Sequence, residues 1–70
     1  MIGAAVRPVL SHEDVELLRL LADGLPTDAV ARRLELSDRT VRRRTRAICD
    51  RLGVTAPVQA IVWAARRGLL

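Results

Sequence analysis

Residues 37–52 constrain the fold of this chain more than any other stretch, because they predict one helix with two opposite chemical faces. Ser37 is a favourable N-cap residue, and Gly53 can adopt the left-handed conformation that ends a helix. One helical stripe, spaced in steps of four, three and four residues, consists of Val41, Thr45, Ile48 and Leu52. The opposite side carries Arg39, Arg42, Arg43, Arg46 and Asp50. We expect the first face to pack on a core and the second to present guanidinium groups.

The positive charge of the chain is concentrated in this helix. The formal net charge is +4, and all 12 cationic side chains are arginines. Residues 1–38 have a net charge of −3, residues 39–51 of +5 and residues 52–70 of +2. Such a local excess is typical of a surface that binds a polyanion, and each guanidinium can grip a phosphate or a guanine bidentately. The blander interpretation is a solvated basic face, which is usually built from Lys and rarely so concentrated.

Length and composition argue against an enzyme. A chain of 70 residues makes one small domain, which leaves too little chain for an active-site cleft and its supporting shell. Trp63 is the only aromatic residue, which argues against a sheet that stacks bases on aromatic rings. Cys49 and His12 are each the only residue of their type, so no internal disulfide or thiolate metal cluster is expected. We expect no cofactor, no metal and no small-molecule ligand on this domain.

Residues 1–9 are apolar without a helical period and contain Gly3 and Pro8, so we interpret them as a tail or the remnant of a linker. The chain has no run approaching the roughly 20 apolar residues of a membrane span. Its N-terminus has no signal-peptide pattern. We therefore expect a cytoplasmic, nucleoid-associated protein with no membrane partner.

The first helix is predicted from Ser11 to the stop at Gly24. Ser11 and Asp14 make a capping box at its start. The expected core stripe comprises Leu17, Leu18, Leu21 and Ala22. Val15 and Leu20 widen the apolar arc, and two interpretations stay open for them: ordinary partly exposed residues, or contacts with a partner.

A short second helix is predicted from Asp28 to Leu34, opened by Pro26 or Thr27. Its core contacts are expected from Val30, Ala31 and Leu34. Glu35 and Leu36 then form a tight turn before the arginine-rich helix. Two helices joined by a turn of three or four residues, the second strongly basic, make the helix-turn-helix pattern.

The fourth helix is predicted from Pro57 to about Arg67, with Gly68 placed to end it. Apolar residues surround nearly its whole axis, and a terminal helix can bury only one face within its own domain. We expect the core face to consist of Ala60, Ile61 and Ala64. The surplus face predicts a dimer through an identical helix across a two-fold axis, with contacts from Val58, Val62, Trp63 and Ala65. The alternative for Trp63 is an ordinary place in the domain core.

These segments resemble the LuxR/FixJ-type, GerE-like helix-turn-helix DNA-binding domain, without a gap over residues 10–70. The resemblance is carried by residues 10–11, 17–25, 30–34, 36–42, 48–54, 60 and 67–70. Its most specific part is Leu-Ser-x-x-Thr-Val-basic, followed later by basic-Leu-Gly-Val. The resemblance implies an all-α, four-helix domain with helix 3 as recognition helix and helix 4 as dimerisation helix. It also implies a role in bacterial transcription control, as in the effector domain of a response regulator.

The resemblance assigns roles to single residues. Base reading in the family implies that role for Arg42, Arg43 and Arg46. Contacts with the DNA backbone are implied for Thr27, Arg39, Thr40, Arg44 and Arg51. The sequence departs from the family pattern at Pro26, where a Ser or Thr cap is usual, and at Thr45, where an apolar residue is usual.

The leading hypothesis is sequence-specific binding of double-stranded DNA by a homodimer, with RNA polymerase as a candidate further partner. One alternative is a promoter-recognition module like the last region of a sigma factor, which has a similar helix-turn-helix and acts as a monomer. A second alternative is a protein-interaction module whose basic face docks an acidic partner. Dimer formation by the free domain distinguishes the first two, and failure to bind any duplex at low salt would favour the third.

Overall fold

The computed structural model describes residues 10–70, which form four helices and contain no strand. In chain order these are α1 (His12–Ala22), α2 (Thr27–Leu34), α3 (Asp38–Leu52) and α4 (Pro57–Arg66). The predicted all-α, helix-turn-helix class is confirmed. The interpretation of residues 1–9 as a tail or linker remnant lies outside the described residues.

One hydrophobic core joins all four helices. α1 and α3 each contact the other three helices, whereas α2 and α4 lie apart from each other. Every helix supplies two side chains that are at most 2% exposed: Leu17, Leu18, Val30, Ala31, Val41, Ile48, Ala60 and Ala64. Because α1 and α3 form the centre of this arrangement, the orientation of α3 is fixed from three sides.

Because α1 and α3 lie at the centre, they bury more residues than the single helical stripes that the sequence predicted. Leu20 is 9% exposed and belongs to the core, so neither interpretation offered for it was right. Cys49 is 4% exposed and joins the core of α3, whereas Thr45 is only half-buried. The prediction of Ala22 as a core residue was wrong, since it is exposed at the last position of α1, where the chain turns away.

All four helices end in the same backbone motif. In each, a residue with positive φ follows the helix and an apolar residue comes next: Gly24-Leu25, Glu35-Leu36, Gly53-Val54 and Gly68-Leu69. The N–H of that apolar residue donates to the carbonyl five residues earlier, at 2.8 Å from Leu36 to Ala31 and at 3.0–3.3 Å in the others. The chain therefore reverses sharply after every helix, and α2 and α3 are held apart by only three residues.

Asp14 ties the start of α1 to the end of α3. Its Oδ2 accepts the Ser11 N–H at 3.1 Å, and Ser11 Oγ accepts the Asp14 N–H at 3.1 Å, which confirms the capping box. The same Oδ2 also accepts Arg51 Nη1 at 2.8 Å. Burial is the largest single influence on the pKa of Asp14 and raises it, but the hydrogen bonds from Ser11 and the paired charge of Arg51 outweigh it, so the pKa lies below its usual value.

This lowered pKa makes part of the folding stability depend on pH. The charged form of Asp14 stabilises the folded state above the unfolded-state pKa of about 3.9, and that contribution is lost as the pH falls through the lower folded-state pKa. We expect Asp14→Asn to lower the free energy of unfolding by about 1–2 kcal/mol at neutral pH. Urea titrations at several pH values measure this. The difference from the parent chain should shrink with falling pH, and a difference that stays constant would contradict this account of Asp14.

Glu35 adopts a conformation that disfavours a side chain. Its φ is +59°, and the left-handed region costs a non-glycine residue roughly 1–2 kcal/mol. We expect Glu35→Gly to raise the free energy of unfolding by up to about 1 kcal/mol, because the relief of strain is partly offset by the greater freedom of glycine in the unfolded chain. Urea unfolding provides the measurement, with Glu35→Ala as the control for loss of the charge. Equal effects of the two substitutions would show that strain at this position is not what matters.

Candidate nucleic-acid interface

The two helices of the helix-turn-helix begin in different ways. α2 begins at Thr27, one residue earlier than predicted, with Pro26 as an N-cap that makes no side-chain hydrogen bond. α3 begins after Ser37, whose Oγ accepts the Thr40 N–H at 3.0 Å and whose hydroxyl donates to Thr40 Oγ1 at 2.9 Å. The predicted cap of α3 is therefore confirmed, and it fixes the first turn of the arginine-rich helix.

The outer face of α3 carries uncompensated positive charge. Arginines at five positions are all exposed: Arg39, Arg42, Arg43, Arg44 and Arg46. Among the described residues, only Arg46 of these five has an acidic group within 4.0 Å, at 3.8 Å from Asp50. Both side chains of that pair are more than 70% exposed, so solvent screens it and it neutralises little. The face thus presents guanidinium groups free to bind an anionic ligand.

The predicted DNA-contacting residues fall on two flanks of α3. At about 100° per residue, Arg42 and Arg46 lie about 40° apart, and Arg44 lies on nearly the opposite flank. Thr27 of α2 lines the same cleft as Arg42 and Arg46. Arg44 instead lines a groove whose other wall carries Glu13 and Glu16 of α1. The fold therefore brings Thr27 together with two of the predicted base readers and directs Arg44 towards acidic residues.

Arg51 lies on the same flank as Arg44, at the far end of α3. Its guanidinium is bound by the largely buried Asp14 at 2.8 Å, as described above. Sequence reasoning treated Arg51 only as a cation for the DNA backbone and missed this internal partner. No local pattern reveals the pair, because 37 residues separate its members.

The outward face of α4 is apolar. Val58 is 62% exposed and Val62 43% exposed, and Ala65 is exposed as well. Trp63 is half-buried: it packs against the core and is also covered by the Arg67 guanidinium, 4.0 Å from the ring centroid. Of the predicted core residues, Ala60 and Ala64 are fully buried, and Ile61 is half-buried.

Gln59 is a further positioning residue that sequence reasoning missed. Its Oε1 accepts the N–H groups of Thr55 and Ala56 at 2.9 Å each, and the Thr55 hydroxyl at 3.1 Å. These bonds fix the loop that joins α3 to α4. The available signal was a glutamine at the third helical position, which is the place of the acceptor in a capping box.

Within residues 10–70, no three His, Cys, Asp or Glu side chains are grouped closely enough to hold a metal ion. None of the described helices has the length and apolar character needed to cross a membrane.

Comparison with known proteins decides the family. Residues 8–64 match the GerE family, described as "Bacterial regulatory proteins, luxR family". The chain belongs to this family. The solved structure of the transcription factor GerE is similar to this LuxR-family domain, with a TM-score of 0.86 and 31% sequence identity, and the match covers 91% of this chain and 96% of that chain.

Curated relatives are longer proteins. The chain is 34% identical over 61 residues to the transcriptional regulatory protein YdfI of Bacillus subtilis, which is 87% of this chain and 29% of YdfI. It is 32% identical to the nitrate/nitrite response regulator protein NarL of Escherichia coli, over 77% of this chain and 25% of NarL. It is 41% identical to the bialaphos biosynthetic pathway regulatory protein of Streptomyces hygroscopicus, over 87% of this chain and 24% of that protein. The chain therefore spans less than a third of the length of these relatives.

The comparisons confirm the predicted family and the coarse function. This is a helix-turn-helix domain of the LuxR type, and its function is DNA binding in transcription regulation. Of the two DNA-binding interpretations drawn from the sequence, the LuxR type is the one that the family match supports.

The crowding of like charges on α3 should be measurable in the free domain. Four arginine pairs lie three or four residues apart, and Arg43 belongs to two of them, with Arg39 and Arg46. Each such pair destabilises a helix by about 0.2–0.5 kcal/mol at low salt. We expect Arg43→Gln to raise the free energy of unfolding by about 0.5 kcal/mol while weakening DNA binding.

Arg51→Gln is the matched control, because it removes an arginine that has an internal partner. It should lower the free energy of unfolding by about 1 kcal/mol, which is the upper end of the stabilisation that partly exposed ion pairs provide. Thermal unfolding at low and high NaCl measures both variants. Equal effects of the two substitutions would show that net charge alone, and not its arrangement, sets the stability.

Proposed function

We propose that this LuxR-family domain binds a specific sequence in double-stranded DNA as a homodimer, with α3 in the major groove. The observation that carries the proposal is the exposed arginine face of α3, which is uncompensated and lies on a helix fixed by contacts with the three other helices. A major groove about 12 Å wide admits one α-helix. A rigid helix in that groove makes binding sequence-specific as well as electrostatic, because its side chains contact base edges in a fixed register.

Arg42, Arg43 and Arg46 are the proposed base readers. Their positions span about 100° of the helix surface, which is an arc that a groove can face at once. Each guanidinium can donate two hydrogen bonds to the O6 and N7 atoms of a guanine. The weak contact of Arg46 with Asp50 is easily exchanged for such a pair.

Thr27, Arg39 and Thr40 are the proposed inner contacts with the DNA backbone. Thr27 is the first residue of α2, whose N-terminus lacks a side-chain cap and so retains N–H groups that suit a phosphate. Thr40 accepts the hydroxyl of Ser37, so its own O–H can be donated to a phosphate oxygen. Phosphate contacts fix the register of the protein on the duplex without reading sequence.

Arg44 and Arg51 are the proposed outer backbone contacts, and both have acidic residues of α1 nearby. One of the Arg51 donors is bound by Asp14 at 2.8 Å, which reduces what this side chain can offer to a phosphate. Arg44 has Glu13 and Glu16 across its groove, which weakens the attraction it exerts on DNA. We therefore rank these two below Thr27 and Arg39 in their contribution to affinity.

The homodimer is proposed to form through α4. Val58, Val62 and Ala65 form an exposed apolar face, and Trp63, covered by Arg67, borders it. A two-fold axis places the same face of a second copy against it and buries these side chains together. The dimer would then set the spacing of two copies of α3 on the DNA. Since the curated relatives are at least three times longer, we further propose that the domain serves as the effector part of a larger regulator; contact with RNA polymerase stays a prediction.

Base reading predicts a loss of discrimination when the readers are changed. Bound sites are first selected from a random pool of duplexes, and half-site symmetry in them reports the dimer. Replacing Arg42, Arg43 or Arg46 with Gln should each weaken the free energy of binding to the selected site by roughly 1–3 kcal/mol. The loss on random DNA should be much smaller.

Arg39→Gln is the control for this experiment. It should weaken binding to the selected and the random DNA alike. It should also reduce the slope of the logarithm of the binding constant against the logarithm of the salt concentration by about one. Unchanged discrimination in a variant with all three readers replaced would show that the readers are wrongly assigned. Failure of any duplex to bind at low salt, together with binding of an acidic polypeptide, would instead support the interaction-module alternative.

The α4 interface predicts the effect of a buried charge. Val62→Glu should raise the dimer dissociation constant at least about tenfold, because an unpaired carboxylate would be buried against the second copy. DNA affinity for a two-half-site duplex should fall with it. Sedimentation equilibrium and binding titrations measure both, and Ala22→Glu on the exposed side of α1 is the matched control. Equal behaviour of the two variants would place the interface elsewhere.

A further inference from the structure

The cleft between the N-terminus of α2, the middle of α3 and the start of α4 has an apolar floor that DNA would leave unused. Its volume is about 290 Å³. Leu21 and Cys49, which is 4% exposed, supply the floor, and the exposed Pro57 lies at its edge. A phosphate of the DNA backbone would meet only the rim, since a phosphate has no apolar part to place against these side chains.

The rim is polar, but most of its hydroxyl groups are already committed. The Thr45 hydroxyl donates to the Val41 carbonyl at 2.8 Å, and the Thr55 hydroxyl donates to Gln59 at 3.1 Å. Besides the Thr27 hydroxyl, the groups that remain to bind a ligand are two cations. Arg42 has no acidic group within 4.0 Å among the described residues, and Arg46 has only its weak Asp50 contact. A ligand that satisfies both parts of the cleft combines an anionic head with an apolar body.

We propose that this cleft binds a small organic carboxylate with an apolar body, of about the size of benzoate. The volume is near the lower end of the roughly 300–1,000 Å³ of ligand pockets, so there is room for a single ring. The carboxylate accepts two hydrogen bonds from the Arg42 fork, and the ring covers Leu21 and Cys49. This proposal departs from the sequence-based prediction that no small molecule binds this domain, because only the fold brings Leu21, Arg42 and Pro57 together.

This site has a consequence that rests on the proposed function. Arg42 and Arg46 are also the proposed base readers, so a carboxylate in the cleft would compete with DNA for them. The cleft would thereby let a metabolite-sized anion lower DNA affinity directly.

The first test needs no DNA. The ¹⁵N-labelled domain is titrated with benzoate, with neutral benzamide of the same shape, and with acetate, all at constant ionic strength. We expect saturable amide shifts at Leu21, Cys49 and Thr55 with benzoate at about millimolar concentrations, as suits a ligand of this size, and at least fivefold weaker binding of the other two probes. Equal shifts with benzamide would show that the head group is not recognised, and equal shifts with acetate would show that the apolar floor is not used; either result overturns the proposal.

Two variants locate the site. Thr45→Met fills the cleft from α3 and should weaken benzoate binding at least tenfold, whereas Ala47→Met on the exposed side of the same helix should leave it unchanged. Should Thr45→Met disturb folding, Arg42→Gln tests the same site from its solvent-exposed rim and should also weaken benzoate binding at least tenfold. Undiminished binding in a folded Thr45→Met domain, or in Arg42→Gln, overturns the proposal.

The second test adds the selected duplex. Benzoate should raise the apparent dissociation constant for DNA severalfold over benzamide at the same ionic strength, and Thr45→Met should abolish that difference. DNA binding without benzoate shifts would refute this inference and leave the proposed function standing. Benzoate shifts without any DNA binding would refute the proposed function and leave the benzoate site standing.

Discussion

The structure depends on a balance within α3, whose apolar side is held by three other helices while its other side accumulates positive charge. Val41 and Ile48 are at most 1% exposed, and five exposed arginines crowd the outer face. In isolation such a helix would be weakened by repulsion between neighbouring guanidinium groups. Burial of its inner side, worth about 1.5–3 kcal/mol for each fully buried aliphatic side chain, outweighs that repulsion. The core therefore stabilises a helix that its own surface charge would otherwise weaken.

Short connections let so small a chain build this core. Each helix ends with a residue of positive φ, followed by an apolar residue whose N–H bonds back to the helix. The connections between the helices are therefore short. The turn before α3 uses Glu35 where glycine would be less strained, and Asp14 binds the first turn of α1 to the last turn of α3. These contacts hold α3 at both of its ends, so the rest of the domain fixes the position of its arginine face.

Positive charge is distributed unevenly between the two flanks of α3. Arg42 and Arg46 face a cleft with Thr27, whereas Arg44 and Arg51 lie beside the acids of α1. The same positive stretch of sequence thus becomes a strongly cationic flank and a partly neutralised one. The outward face of α4, by contrast, is apolar.

The sequence by itself determined the four helices, the Ser11 and Ser37 caps, the helix-turn-helix and the outward arginines, because these follow from periodicity and local backbone chemistry. It could not determine which residues lie between three helices at once, so Leu20 and Cys49 were missed as core residues and Ala22 was wrongly included. The Asp14–Arg51 pair and the meeting of Thr27 with Arg42 were also decided by tertiary structure. Such contacts join residues far apart in the chain, and the free energy that selects them belongs to the packed arrangement as a whole.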